Sequence, residues 1–279
     1  MEYWVVVVAR NAAQHISRTI NSILQQRTKP KIVIVVNDGS TDATGTILES
    51  YSKRNSINVL TNPDRGYDIR RVPSNINSAC DYVAKAALRT DYFMISGDDC
   101  VYPPTYAETL LTRMRANTRV VIASGSPSAN SNLTREHSAS GSGRFVNSQF
   151  WFRVGGYPAK AGWETWLLYK AAQIGFESRL YNDLHYEHSR PRGSQHQFTY
   201  WGAAMGGLGY HPLYAMGRIA RNALIRTIGL KGSTNLLRGY LLSKLGSDDP
   251  FISPFEQTLR EFVVRQQTRR ISSVISSRL

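Results

Sequence analysis

Unbroken apolar runs alternate with segments of helical spacing through the first half of the chain. Residues 3–9 (YWVVVVA) and 32–36 (IVIVV) are β-branched stretches with no polar interruption, the pattern of strands buried on both faces. Between them Ile16, Ile20, Ile23 and Leu24 recur at helical spacing, with Ser17, Arg18, Asn21 and Ser22 turned outward. A strand, a helix and a strand in so short a span form a βαβ unit, which requires a parallel sheet. The rhythm continues. The polar stretch 37–42 (NDGSTD) reads as a loop and N-cap for a helix near 42–53, and 57–60 (INVL) as a third strand. A helix around 75–88, a strand at 92–96 (YFMIS), a helix opened by Pro103 and Pro104 and a strand at 120–123 follow. This alternation predicts a doubly wound α/β layer, in which ligands sit beyond the carboxyl ends of the strands.

Past that point the pattern changes. Residues 124–144 are rich in Ser, Gly and Asn and read as a loop or insertion, not a strand. A segment from Phe145 to Tyr157 and a helix from Glu164 to Ile174 come next. Between Pro212 and Leu230, Met216, Ile219, Ala220, Ala223, Leu224 and Ile228 form one helical side, opposite Arg218, Arg221, Asn222 and Arg226. A second such helix is expected over 254–276, with Leu259, Phe262, Val263, Val274 and Ile275 opposite several arginines. Basic amphipathic helices of this kind either pack on their own domain and leave Arg solvated, the preferred reading, or lie on an anionic membrane surface.

Composition narrows the class. The chain has 279 residues, 42% of them apolar and 10% aromatic, enough for a large packed core. Lys and Arg number 34 against 20 Asp and Glu, a net charge of +14, and 11 basic against 4 acidic residues follow Pro212. Such an excess favours phosphate-bearing partners: nucleic acid, nucleotide diphosphates or an anionic lipid face. Cys80 and Cys100 are too few for a disulfide framework and show no metal-ligand spacing, so a reducing compartment is expected. No apolar stretch is long enough to span a bilayer and the 3–9 run lacks the flanks of a secretory signal. A cytoplasmic protein, peripheral on the membrane at most, is the expectation.

Two acidic loops at strand ends carry the chemistry. A carboxylate at Asp38 can accept hydrogen bonds from a base or a ribose hydroxyl, although a helix cap and a tight turn would also use this loop. Gly97-Asp98-Asp99 ends a later strand. Adjacent aspartates repel one another unless a cation is near, and hard divalent ions prefer carboxylate oxygens.

Together, in this order, the motifs resemble the family 2 glycosyltransferases of GT-A fold. The resemblance starts with Val6-Val7-Val8-Ala9-Arg10-Asn11 and the Ile16, Ile20, Ser22, Ile23, Gln25 set. It continues through Asn37-Asp38-Gly39-Ser40-Thr41-Asp42 and 91–99 (DYFMISGDD), and reaches Trp163-Glu164-Thr165-Trp166 with Gly175. It implies a GT-A domain over residues 1–195, with a nucleotide-binding half to about 100 and an acceptor half from 101, and a basic amphipathic helical extension over 196–279. It further implies a nucleotide diphosphate-sugar donor, a divalent metal (Mn²⁺ or Mg²⁺), inversion at the anomeric carbon, and a glycan or lipid-linked acceptor.

By position, Ala9, Arg10, Asn11, Asp38, Arg71 and Asp98 are implied to bind the nucleotide. The family's Asp-x-Asp-Asp pattern has Ser96 in its first place here, leaving Asp98 and Asp99 to share the ribose and metal contacts. Glu164 is implied as the catalytic base, in place of the family's usual Asp, and is also the kind of residue a helix N-terminus favours. His188, more than His185, fits a further metal ligand, and Arg190 and Arg192 fit the diphosphate. A nucleotidyltransferase or an inactive sugar-nucleotide binder shares the same needs. A basic nucleic-acid-binding module would use the +14 charge, but no helix-turn-helix, zinc or RNP-type motif is present and no nucleic-acid partner is expected.

Overall fold

The protein is described by a computed structural model covering residues 2–54, 56–127, 139–190, 197–224 and 228–276. It divides into two compact units, Met1–Tyr157 with Ile174–Ser194, and Pro158–Gln173 with Gln195–Leu279.

The first unit runs β1 (Tyr3–Ala9), α1 (Ile16–Leu24), β2 (Val33–Asn37), α2 (Thr44–Ser52), β3 (Asn58–Thr61), α3 (Val72–Lys85) and β4 (Tyr92–Ser96). It goes on through β5 (Cys100–Val101), α4 (Tyr106–Ala116), β6 (Val120–Pro127), β7 (Arg144–Asn147) and α5 (Ser148–Val154). After α6 (Trp163–Gln173), which belongs to the second unit, the chain returns to the first as β8 (Glu177–His188). The eight strands form one sheet in the order β3-β2-β1-β4-β7-β6-β8-β5. β1 lies between β2 and β4, parallel to both, and β2 is parallel to β3. β7 pairs antiparallel with β4 and β6, and β5 antiparallel with β8.

Burial explains why these segments adopt these elements. Tyr3 to Val7 and all of β2 and β4 are buried, so each strand presents apolar side chains to helices on both faces. In α1, Ile16, Ile20 and Ile23 are buried against the sheet, each contributing about 1.5–3 kcal/mol by leaving water. Ser22 is buried too, not turned outward: its Oγ donates to the Thr19 carbonyl at 2.8 Å, so the hydroxyl enters the core already satisfied.

The segment from 124 corrects a second expectation. Residues 124–127 continue β6, buried throughout, because Ser and Gly there pack closely beside β8; Tyr106 Oη accepts from the Gly125 amide at 2.8 Å. Residues 128–138 of the expected loop lie outside the described residues.

The second unit holds α6, α7 (Phe198–Gly207), α8 (Pro212–Leu224), α9 (Gly229–Leu245) and α10 (Gln257–Ser276). α7 and α9 approach through small residues: a Cβ on Gly202 would strike the Leu236 carbonyl, and one on Gly239 the Thr199 carbonyl. The single helix expected over 212–230 is two elements, since α8 ends at Leu224 and α9 opens at Gly229. Its apolar side is not uniformly inward: Ala215 and Ile219 are buried, whereas Met216, Ala220 and Leu224 are exposed. In α10, Leu259 and Val263 are buried while Arg265, Arg269 and Arg270 are exposed. Among the described residues, no helix is long and apolar enough to cross a membrane.

Candidate active site

The parallel strands β1, β2 and β4 end in register, and their carboxyl-end loops bring most of the expected residues together. Ala9 pairs with Asn37 across β1 and β2, and the Asp38 amide donates to the Ala9 carbonyl at 2.9 Å. Asn11 takes a left-handed backbone (φ 49°), which Asn tolerates better than most residues, and its Oδ1 accepts from the Thr41 amide at 2.8 Å. Gly39 is also left-handed (φ 66°), and a Cβ there would lie 2.5 Å from Asp64 Cα, so only glycine fits this turn.

Arg10 joins the two acidic loops. Its guanidinium donates to the carbonyls of Asp38 and Gly39 and, at 2.7 Å, to Asp64 Oδ1. Its backbone amide donates to Asp98 Oδ2 at 3.3 Å. Thr19 Oγ1, from α1, anchors the second loop by donating to the Asp98 carbonyl at 3.0 Å.

Asp38 is buried and receives Arg71 through two nitrogens, Nε at 3.2 Å from both oxygens and Nη2 at 3.0 Å from Oδ2. Burial pushes this carboxyl up, but hydrogen bonds from Arg71, Asn75 and Asn62 and the Arg71 charge outweigh it and hold it below the usual carboxylate range. The two expected nucleotide residues Asp38 and Arg71 therefore meet as an ion pair.

The adjacent aspartates are held in opposite ways. Burial raises Asp98, with the Asp99 charge adding to it, and the nearby Arg190 only partly offsets this; Arg190 Nη2 lies 3.3 Å from Asp98 Oδ2. Asp99 is also penalised by burial, yet His188 and Arg190 bring it below the usual range. His188 Nδ1 stands 3.4 Å from Asp99 Oδ1, and the Ser189 amide donates to the Asp99 carbonyl at 2.8 Å. The pairing of β5 with β8, which sets Cys100 opposite His188, creates this contact.

Ser96, in the place of the family's first aspartate, is buried and bonded to Tyr102 Oη at 2.9 Å. Arg192 lies outside the described residues. Glu164 is exposed in the first turn of α6, in the second unit.

Sequence reading missed three participants: Asp64, which binds Arg10; Asn75, which supports Asp38; and Cys100. The expectation that neither cysteine has a metal-ligand arrangement is corrected, because Asp99, Cys100 and His188 bring their ligand atoms within 4.8 Å of one another. Spacing along the chain could not reveal a partner that arrives through strand pairing 88 positions away.

A family model for glycosyl transferase family 2 matches residues 4–172, well over half of the chain. The chain belongs to glycosyl transferase family 2. An uncharacterized glycosyltransferase of Haemophilus influenzae is 33% identical over 118 residues, 42% of this chain; the match spans only 33% of that relative's length. The mannosyltransferase PcManGT of Pyrobaculum calidifontis, solved with GDP-Man and Mn²⁺, shares the fold with a TM-score of 0.60 at 14% identity, over 98% of this chain and 86% of its own. TarS residues 1–349 of S. aureus, solved with UDP-GlcNAc, gives 0.57 at 14% identity, over 86% of this chain and 79% of its own. The expected family, the glycosyltransferase class and the GT-A fold are borne out.

Proposed function

We propose that this family 2 glycosyltransferase transfers a sugar from a nucleotide diphosphate-sugar to a hydroxyl of a glycan or lipid-linked acceptor, with inversion at the anomeric carbon. The observation that carries the reading is the convergence of Arg10, Asp38, Arg71, Asp98, Asp99, His188 and Arg190 on the carboxyl ends of β1, β2 and β4. The solved relatives bound to GDP-Man and UDP-GlcNAc support a nucleotide-sugar donor.

In this reading Ala9, Arg10 and Asn11 line the nucleotide pocket. Asp38, kept ionised by Arg71, accepts hydrogen bonds from the base, and Asp98 accepts from the ribose. Arg190, with Arg192 beyond it, holds the diphosphate. Asp99 and His188 fit a divalent cation, because a carboxylate oxygen and an imidazole nitrogen, both metal-ligating atoms, stand 3.4 Å apart. Such a cation, Mn²⁺ or Mg²⁺, supplies positive charge to a diphosphate leaving group.

Glu164 acts as the base. As the acceptor oxygen forms its bond to the anomeric carbon, the bond to the diphosphate oxygen breaks and Glu164 takes the hydroxyl proton. Its carboxylate is exposed in the first turn of α6.

The exposed leucines and basic residues of the second unit support docking on an anionic membrane surface where a lipid-linked acceptor would lie.

The test is a thermal-shift series with UDP, GDP, CDP and dTDP, each with and without Mn²⁺, on wild type and Glu164→Gln. One nucleotide is expected to stabilise both proteins, more strongly with metal, while the variant loses transfer. No stabilisation by any nucleotide at millimolar concentration overturns the donor site. Near-normal turnover by Glu164→Gln overturns the base.

A further inference from the structure

The connection between β3 and α3 is laid over the Asp38 turn and tied to it along its length. The Asn62 amide donates to the Asn37 carbonyl at 2.9 Å, and Asp64 takes the Arg10 guanidinium at 2.7 Å. The Gly66 carbonyl accepts from Arg71, the same arginine that holds Asp38. The approach is close: a Cβ on Gly39 would lie 2.7 Å from the Pro63 carbonyl oxygen. Gly66 then turns the chain with a left-handed backbone (φ 71°), and Tyr67 follows at once.

Tyr67 is 49% exposed, and among the described residues its ring packs on no other ring. The tyrosines beneath the acidic turn, Tyr102, Tyr106 and Tyr186, are instead buried against one another. The other exposed aromatic side chains of the first unit lie at the far end of the sheet. Tyr82 bonds Asn58 at the amino end of β3, and Phe152 lines a cavity with Tyr92 at the amino end of β4. Partial burial and the Asp68 and Asp98 carboxylates push the Tyr67 phenol up from its ordinary value, while Arg190 opposes them. Tyr67 therefore has the Asp38–Arg71 pair behind it, through Gly66, and Asp98 and Arg190 within electrostatic reach.

The residues assigned to the nucleotide above are aliphatic, polar or charged, so they can hold the edge of a base and its phosphates but offer no aromatic face. A base also has two flat faces, and covering one with an aromatic ring is favourable whichever base it is. We infer that Tyr67 is a nucleotide-binding residue of the donor site, its ring stacked on the face of the base whose edge Asp38 reads. This rests on the donor site proposed above and adds the contact that site lacks. Because stacking tolerates any base, Tyr67 contributes affinity and leaves the choice of base to Asp38 and its neighbours.

The test is isothermal titration of the full chain with UDP, GDP, CDP and dTDP, and separately with inorganic pyrophosphate, all with Mg²⁺. Wild type, Tyr67→Ala and Tyr67→Phe are compared. Tyr67→Ala is expected to weaken binding of the nucleotide that wild type prefers by roughly five- to 150-fold, the range for losing one base–aromatic stack. Tyr67→Phe keeps the ring and should bind that nucleotide as wild type does. Pyrophosphate, which has no base, should bind all three proteins alike. The side chain is half exposed in a loop, so the ligand-free unfolding midpoints are expected to coincide.

Undiminished nucleotide affinity in Tyr67→Ala would overturn the stack and leave the donor site standing. An equal loss in Tyr67→Ala and Tyr67→Phe, shared by pyrophosphate, would also overturn it, because the hydroxyl would then act on the diphosphate. No binding of any nucleotide by wild type would overturn the stack and the donor site together.

Discussion

At Asp38 burial and pairing pull in opposite directions, and pairing prevails because Arg71 meets the carboxylate through two nitrogens while Asn75 and Asn62 add hydrogen bonds. A carboxyl held low in the folded protein adds stability above its unfolded pKa, and that stability is lost as pH falls through the folded value. Arg71→Ala is therefore expected to cost about 1–3 kcal/mol near neutral pH, the scale of leaving a buried group unsatisfied. The gap between variant and wild type should narrow on acidification, as Asp38 protonates and no longer needs a partner. Urea midpoints at neutral pH and at a pH below the ordinary aspartate value of 3.8 check this, and a gap that is constant or grows with acid would refute it. Asp98 behaves oppositely, because burial and the Asp99 charge raise it. Asp98 and Asp99, neighbours in sequence, thus shift in opposite directions, because burial prevails at the first while His188 and Arg190 outweigh it at the second.

Among the elements, α7 and α9 show how small residues determine packing. A Cβ on Gly202 would meet the Leu236 carbonyl, and one on Gly206 the Ser243 hydroxyl, so the helices approach at backbone distance. Gly202→Ala is expected to destabilise the protein by about 1–3 kcal/mol, the usual cost of overpacking, despite the better helix propensity of Ala. Gly217, in α8, has nothing within 4 Å of an added Cβ, so Gly217→Ala should be neutral or stabilising by up to ~1 kcal/mol. Thermal unfolding of the two variants side by side tests the pair, and equal midpoints would refute the close-packing account. A helical extension over 196–279 was expected from the sequence, but the bounds of α7 and α9 within it were not. Gly-rich 198–207 has low helical preference, and only contact with a partner helix makes it favourable.

For the molecule as a whole, the +14 charge and the exposed apolar residues of the second unit belong to one question. Leu213, Leu224, Leu230 and Leu245 are 68–84% exposed, and Arg221, Lys231, Arg238 and Lys244 are exposed in the same helices. Flotation with liposomes of rising anionic-lipid content should show binding that weakens with salt. No binding at any composition would remove the membrane from the proposed function. The strands β1, β2 and β4, the helix α1 and the acidic loops at Asp38 and Asp98 were legible in the sequence, because continuous β-branched runs and helical periodicity are local signals. The first strands' parallel order followed from their alternation with helices. What only the tertiary structure decided is pairing at a distance: β8 carrying His188 to Cys100, Arg71 reaching Asp38, and Asp64 meeting Arg10. These partners sit in short or irregular segments whose residue types carry no period. His188 reaches Cys100 because β8 returns beside β6 and pairs with β5, whereas Arg71 and Asp64 reach their partners from the connection between β3 and α3; strand pairing and loop path, not a local period, set both.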